Sequence, residues 1–265
     1  MTQMKQRKRG YTQNIRQYLY VIRELTGREI KRKYARSYLG IVWSVLNPLM
    51  TMAVLSALFS TMFRRSIENF PIYYLTGYIL WQLYSEATRS AMTVLVDNKN
   101  LLIKTKIPKY VFVLSRAYTA LVNFLFSCIA YALMLAVFRM PPGWTWMFFF
   151  YDVLCVMLFS LGIGSILSIL YVFFADVRHL YGVFLTLLMY LSAIFYPVSR
   201  LPGWMQMVLG YNPVYLFIYI LRTAIMENQV PQGGVLAEAG LIAAVVFGFG
   251  LLVFQRKQND VMIHI

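Results

Sequence analysis

Residues 146–174 read WMFFFYDVLCVMLFSLGIGSILSILYVFF, a run in which Asp152 is the one charged side chain. A helix of about 20 consecutive apolar residues crosses the hydrocarbon core of a bilayer. A stretch this long and this apolar has no polar face to turn to water, so it belongs in lipid or among other helices. Comparable runs lie on either side, at 41–63, 72–96, 110–138, 181–196 and 235–254. Pro48 is placed to bend the first of them, and Gly162 and Gly164 sit within the quoted one. The whole chain agrees: of its 265 residues, 60% are hydrophobic and 13% charged, with a mean hydropathy of +0.60. Soluble domains carry roughly 45–50% apolar and about 25% charged residues. A soluble globule is excluded by that excess, and a disordered chain by the same numbers, because disordered chains are apolar-poor. The expectation is an all-α integral membrane protein with six transmembrane helices.

The segments between the runs set the topology. Ile15, Tyr18, Leu19, Ile22 and Leu25 recur at helical spacing, with Arg16, Arg23, Glu24 and Arg28 on the other side. Ile30 and Tyr34 extend the apolar face past Gly27. This is the pattern of a basic amphipathic helix lying in the membrane interface over 14–34. A short polar loop with Arg64, Arg65 and Glu68 follows the first run, and Met140-Pro141-Pro142-Gly143 makes a turn. Between 197 and 226, Pro197, Pro202, Gly203, Gly210 and Pro213 break an apolar stretch too often for one straight helix. Non-helical backbone at membrane depth must be covered by protein or line a water-filled cavity, so a pair of short re-entrant helices is expected there.

The net charge is +15. Segments 1–40, 97–109, 175–180 and 255–265 hold 18 of the 25 basic residues. Lys/Arg-rich loops stay in the cytoplasm, so a multi-pass protein of the cell (inner or plasma) membrane with both termini cytoplasmic is expected. The chain then divides into a cytoplasmic N-terminus (1–40), a six-helix membrane domain (41–254) and a cytoplasmic tail (255–265). The first apolar run ends in no small-residue cleavage site, so it is expected to remain as an anchor.

Catalytic chemistry finds little support. The ten Asp and Glu are scattered, and His179 and His264 stand alone near span ends. Cys128 and Cys155 sit inside apolar runs with neither disulfide nor metal spacing. There is no G-x-x-x-x-G-K-[ST] loop to cradle a nucleotide's phosphates. No catalytic residue and no metal ligand is therefore expected, and no nucleic-acid recognition module is visible.

Four segments carry a resemblance. They are Arg36-Ser37-Tyr38-Leu39-Gly40-Ile41-Val42-Trp43 through Asn47-Pro48; Asn100-Leu101-Leu102 through Lys104 to Ile107-Pro108-Lys109; Phe173-Phe174-Ala175-Asp176-Val177; and Tyr196-Pro197-Val198, Leu201-Pro202, Asn212-Pro213 and Arg222. In order and together they resemble the membrane subunits of ABC-2 type exporters, in particular the branch that exports polysaccharides such as O-antigen, teichoic acid and capsule. Ala175 stands where the family often has Arg, and Ile107 where it commonly has an aromatic. The resemblance implies a permease subunit that is no enzyme itself, paired as a homodimer with two copies of a cytoplasmic ABC ATP-binding subunit. ATP and Mg would then act through that partner, and a lipid-linked glycan would be the cargo. Exporters of small lipids or drugs, and an ion-coupled secondary transporter, are the alternatives.

The resemblance implies a coupling element at Asn100, Leu101, Leu102, Ile103, Lys104, Ile107 and Pro108, with apolar anchors and a polar rim. It also implies an aromatic-lined route. Tyr74, Tyr78 and Trp81 share a helix face, and rings of this kind stack on sugars. Glu86 and Arg89, three apart, can pair on the same helix. Arg116 is a candidate for a lipid pyrophosphate at the inner entrance, because the guanidinium fork matches phosphate oxygens; snorkelling to headgroups is its other reading. Tyr196, Pro197, Pro202, Gly210, Asn212 and Pro213 would form an outer gate.

Overall fold

The computed structural model describes residues 2–35, 37–63, 67, 69–105 and 107–264, with side chains from Arg16 onward except at 60–66 and 262–264. Arg36, Arg64, Arg65, Glu68 and Lys106, and the side chains of Ile15 and His264, lie outside the described residues. Among the described residues the structure is all helix and turn. The elements are α1 (Thr2–Tyr34), α2 (Val42–Phe63), α3 (Phe70–Asp97), α4 (Lys99–Lys104), α5 (Tyr110–Val137), α6 (Phe148–Phe173), α7 (Val177–Tyr190), α8 (Gly203–Gly210), α9 (Pro213–Ile225) and α10 (Gly233–His264). A 3-10 turn at Trp144–Met147 leads into α6, and another at Val198–Arg200 precedes α8.

Among the described residues four segments are long and apolar enough to cross a membrane: Val42–Phe59, Tyr110–Val137, Trp144–Phe173 and Gly233–Val261. α3 is as long as α5 but stands outside that set. It carries Gln82, Glu86, Arg89 and Asp97, and more than half of its residues are buried. α5 and α6 flank it, α2 and α9 cover it, and α10 lies along α6. The main core gathers on it, with Phe70, Ile72, Leu75, Ile79, Leu80 and Leu83 all buried.

α6 and α10 meet at glycines. A Cβ on Gly162 would lie 2.4 Å from the Val246 carbonyl oxygen, and one on Gly250 would lie 2.3 Å from that of Gly162. Small residues allow such approach, which drives helix association where lipid offers no hydrophobic contrast.

The expected fifth span, 181–196, differs. α7 starts earlier, at Val177, and stops at Tyr190 after 14 residues. At 1.5 Å per residue it reaches roughly 21 Å, short of the hydrocarbon thickness of about 30 Å. It ends because the carbonyls of Leu191, Ala193, Ile194 and Tyr196 are taken by side chains of α3, α9 and the residue capping α9. α8 and α9 follow as two short helices bent by 93°.

Candidate functional site

At the end of the bundle that carries α4, α1 crosses α3 and α5 and is fastened to both. Thr26 donates to the Ser115 carbonyl (3.2 Å), and Arg28 donates to Asn98 Oδ1 (2.7 Å). Glu29 holds Arg116 at 2.6 Å and Arg32 at 3.0 Å. The other arm of Arg116 reaches Asp97 at 3.0 Å. Lys33 meets Glu86 at 3.0 Å, and Asn123 donates to the same oxygen at 2.6 Å. The amphipathic helix thus turns a row of charges onto the protein while its other flank stays exposed.

These side chains line a cavity of about 680 Å³ bounded by α1, α3, α5 and α7, among them Arg32, Glu86, Arg89, Asp97, Arg116, Arg178 and His179. A second space of about 280 Å³ shares Arg32, Glu86, Ser90 and Arg116 as a common wall and adds Glu29, Lys33 and Asn123. Around the two, five cations face three carboxylates, a surplus of two positive charges. The carboxylates are taken by Arg32, Lys33 and Arg116. Among the described residues Arg89 and Arg178 make no ion pair, and both open onto the larger cavity. An excess of guanidinium groups of this kind is the chemistry that pairs with phosphate oxygens.

Two expectations change here. Glu86 pairs with Lys33 and not with Arg89, because α1 brings Lys33 over it. Arg116 does not snorkel: it is buried and already balanced by two carboxylates, so it braces the cavity wall.

α4 lies beside this cavity. Asn98 knots the joint: its side chain donates to the Val94 carbonyl (2.9 Å) and accepts from Arg28, and its own carbonyl accepts from Leu101 and Leu102. The Thr105 hydroxyl closes the far end on the Leu101 carbonyl (2.7 Å). Within α4 the expected anchors separate by face. Leu102 is 5% exposed and packs with Leu25, Val94, Leu95, Phe112 and Val261. Ile103 is 59% exposed, flanked by exposed Asn100 and Lys104. Leu101, Ile107 and Pro108 are half-buried. Lys109 donates to the Gln258 carbonyl of α10 (2.5 Å), and burial lowers the pKa of its ammonium.

The aromatics expected along a route are mostly enclosed within the single chain. Tyr74 is fully buried and stacks between Tyr78 (5.3 Å) and Phe195 (5.8 Å). Trp81 is buried against Tyr84 (5.9 Å). Tyr78 is half-buried, while Glu86 and Arg89 border the cavity.

At the opposite end, the expected gate residues form a clasp. Asn212 caps α9 by accepting from the Val214 amide (3.0 Å) and donates to the Leu191 carbonyl (2.8 Å) and Ser192 Oγ (3.0 Å). Pro213 opens α9, where its missing N–H costs nothing. Tyr196 donates to the Tyr190 carbonyl. Pro197 is buried ahead of the second 3-10 turn, and Pro202 and Gly210 bracket the exposed α8. The centre of the clasp is Arg222, which reaches the carbonyls of Ala193 (2.9 Å), Tyr73 (3.2 Å) and Ile194 (3.4 Å). Its guanidinium also lies 3.4 Å from the centre of the Tyr73 ring. Ala193 is held at φ 50°, a left-handed conformation that non-glycine residues seldom adopt.

The model of the ABC-2 type transporter family matches residues 20–226, which takes in the cavity, α4 and the clasp. The chain belongs to that family. It is similar to the O-antigen export system permease protein RfbA of Myxococcus xanthus, 26% identical over 246 residues, covering 92% of this chain and 95% of that one. It is also similar to the polysialic acid transport protein KpsM of Escherichia coli, 22% identical over 240 residues (89% and 92% covered). A third relative is the capsule polysaccharide export inner-membrane protein CtrC of Neisseria meningitidis, 26% identical over 193 residues (70% and 71% covered).

In this ABC-2 transporter, sequence reasoning missed Arg178 and the clasp role of Arg222. Arg178 sits in a four-residue polar connection that reads as a loop charge. Arg222 stands in an apolar run, where a buried cation signals a partner, although the partners themselves are not local.

Proposed function

We propose that this chain is the permease subunit of an ATP-driven exporter that moves a lipid-linked polysaccharide, of O-antigen, teichoic acid or capsular type, out of the cytoplasm. The observation that carries the reading is the cavity at the α1 end, where Arg89 and Arg178 offer two unpaired cations beside an exposed docking helix. A pyrophosphate linking glycan to lipid fits that charge. The prenyl tail stays in the bilayer in this reading.

In this reading the chain crosses the membrane six times. α3, and α7 continued by the non-helical 191–196 segment, provide the two crossings that apolarity alone does not mark, and α8–α9 enters and leaves from the outer side. Both termini and α4 face the cytoplasm. Two copies pair, and the exposed apolar side of α2, with Val42, Trp43, Met50 and Val54, is available to the second copy or to lipid. Each copy takes one ABC ATP-binding subunit on Ile103, Asn100 and Lys104. ATP and Mg act in that partner alone. Closure of the ATPase pair pushes α4, and the Arg28–Asn98 bond carries the displacement to α1 and so to the cavity wall. The glycan then runs along the Glu86–Tyr78 side of α3. Tyr74 and Trp81 join the route as the aromatic column parts, and the Arg222 clasp closes the outer end between cycles.

The test is reconstitution of the permease with its ATPase in liposomes. Prenyl-pyrophosphate-linked glycan should stimulate ATP hydrolysis, and Arg89→Gln with Arg178→Gln should raise the half-maximal lipid concentration about tenfold or more while leaving basal hydrolysis in place. Stimulation unchanged in the double variant, or transport that follows an ion gradient without ATP, would overturn the reading.

A further inference from the structure

A third space of about 520 Å³ lies nearer the N-terminal part of α1, on the opposite face of α5 from the basic cavity. It is lined by Leu19, Ile22 and Arg23 of α1, Leu114, Ala117 and Tyr118 of α5, and Met157 and Leu161 of α6. Six of these eight are purely apolar. The two polar groups differ from the rest of α1. Arg28, Arg32 and Lys33, further along the helix, are all bonded to protein. Among the described residues Arg23 has no hydrogen bond or ion pair, and Tyr118 is exposed with its hydroxyl unused. The groove therefore combines an apolar trough with one unneutralised guanidinium and one phenol at its edge.

We propose that this groove is a binding site for an anionic phospholipid, with the phosphate on Arg23 and Tyr118 and one acyl chain lying along Leu114, Met157 and Leu161. Charge complementarity argues for the occupant. A water-filled trough of this composition would leave apolar walls wet, and a hydrocarbon chain removes that contact. An unpaired guanidinium beside it takes a phosphate oxygen in a charge-assisted bond. A helix lying in the interface places its basic side chains at headgroup level. The lipid would act as a shim between α1 and the α5–α6 pair, fixing the angle at which α1 crosses the bundle. The site is separate from the basic cavity, and it stands or falls independently of what the transporter exports.

The probe is dioleoylphosphatidylglycerol, titrated into the delipidated full-length permease and read by native mass spectrometry, with phosphatidylcholine and a prenyl pyrophosphate as parallel arms. Wild type should hold one phosphatidylglycerol at least tenfold more tightly than Arg23→Gln, with Arg23→Lys between them. Leu114→Trp, which fills the trough and leaves Arg23 alone, should lose the lipid as well. Equal phosphatidylglycerol affinity in wild type and Arg23→Gln would refute the proposal. So would retention in Leu114→Trp, or one-for-one displacement by the prenyl pyrophosphate, which would make the groove part of the cargo site.

Discussion

Leu102 and Ile103 are neighbours on α4 and should fail in different ways. Leu102 is enclosed among Leu25, Val94, Leu95, Phe112, Val113 and Val261. Truncating a buried leucine costs about 2–5 kcal/mol, depending on how far the site collapses. Ile103 is mostly in solvent, and surface substitutions usually stay within about 0.5 kcal/mol. A central apolar anchor in a protein interface, however, contributes roughly 2 kcal/mol or more to binding, and each 1.4 kcal/mol is about a tenfold change in affinity. Ile103→Asp should thus weaken the ATPase subunit about 30-fold or more with an unchanged melting temperature. Leu102→Ala should lower the melting temperature while the protein that remains folded binds its partner normally. The assay pairs thermal unfolding of the detergent-solubilised permease with titration of the purified ATPase subunit onto it. Wild-type affinity in Ile103→Asp, or lost affinity without lost stability in Leu102→Ala, would refute the assignment of the two faces.

Arg222→Ala removes three carbonyl contacts and the ring stack on Tyr73, so the 191–196 segment should loosen. A cysteine introduced at Ser199 should react faster with a thiol reagent added from outside, and liposomes should leak small ions; tight liposomes and unchanged labelling would count against the clasp. Gly162→Ala drives a methyl group into the Val246 carbonyl and should lower folded yield and melting temperature. Gly248→Ala, where no atom stands within 4 Å of the added carbon, should be neutral, and equal effects of the two would dismiss the close crossing.

Hydrophobic length carried most of the fold. The runs at 41–63, 72–96, 110–138 and 146–174 match α2, α3, α5 and α6 to within about two residues, because a helix in lipid must satisfy its own backbone. The same rule failed at 181–196. There the backbone is satisfied by Asn212 and Arg222, 21 to 29 residues away, and by Tyr73, 123 residues away, and no local pattern announces that. The candidate site was legible in kind but not in detail. The basic loop and amphipathic helix were visible, yet the partner of Glu86 is Lys33, 53 positions earlier. Which of Leu102 and Ile103 points outward depends on how α4 hangs from Asn98. Arg116 was readable as a cation at depth, and its two carboxylates, on α1 and at the end of α3, were not.

The glycine crossing of α6 and α10 has a mechanical corollary. Where two backbones touch there is no layer of side chains to reshuffle, so the pair behaves as a single fixed post. α2, by contrast, rests on α3 and α5 with little of its surface enclosed, and α1 is held by a few polar bonds and by Leu25 in the smaller core. α4 leans on that post through Leu102, which packs with Val261 of α10. In the proposed cycle the doorway would open where α1 and α2 can swing while α6 and α10 stand still.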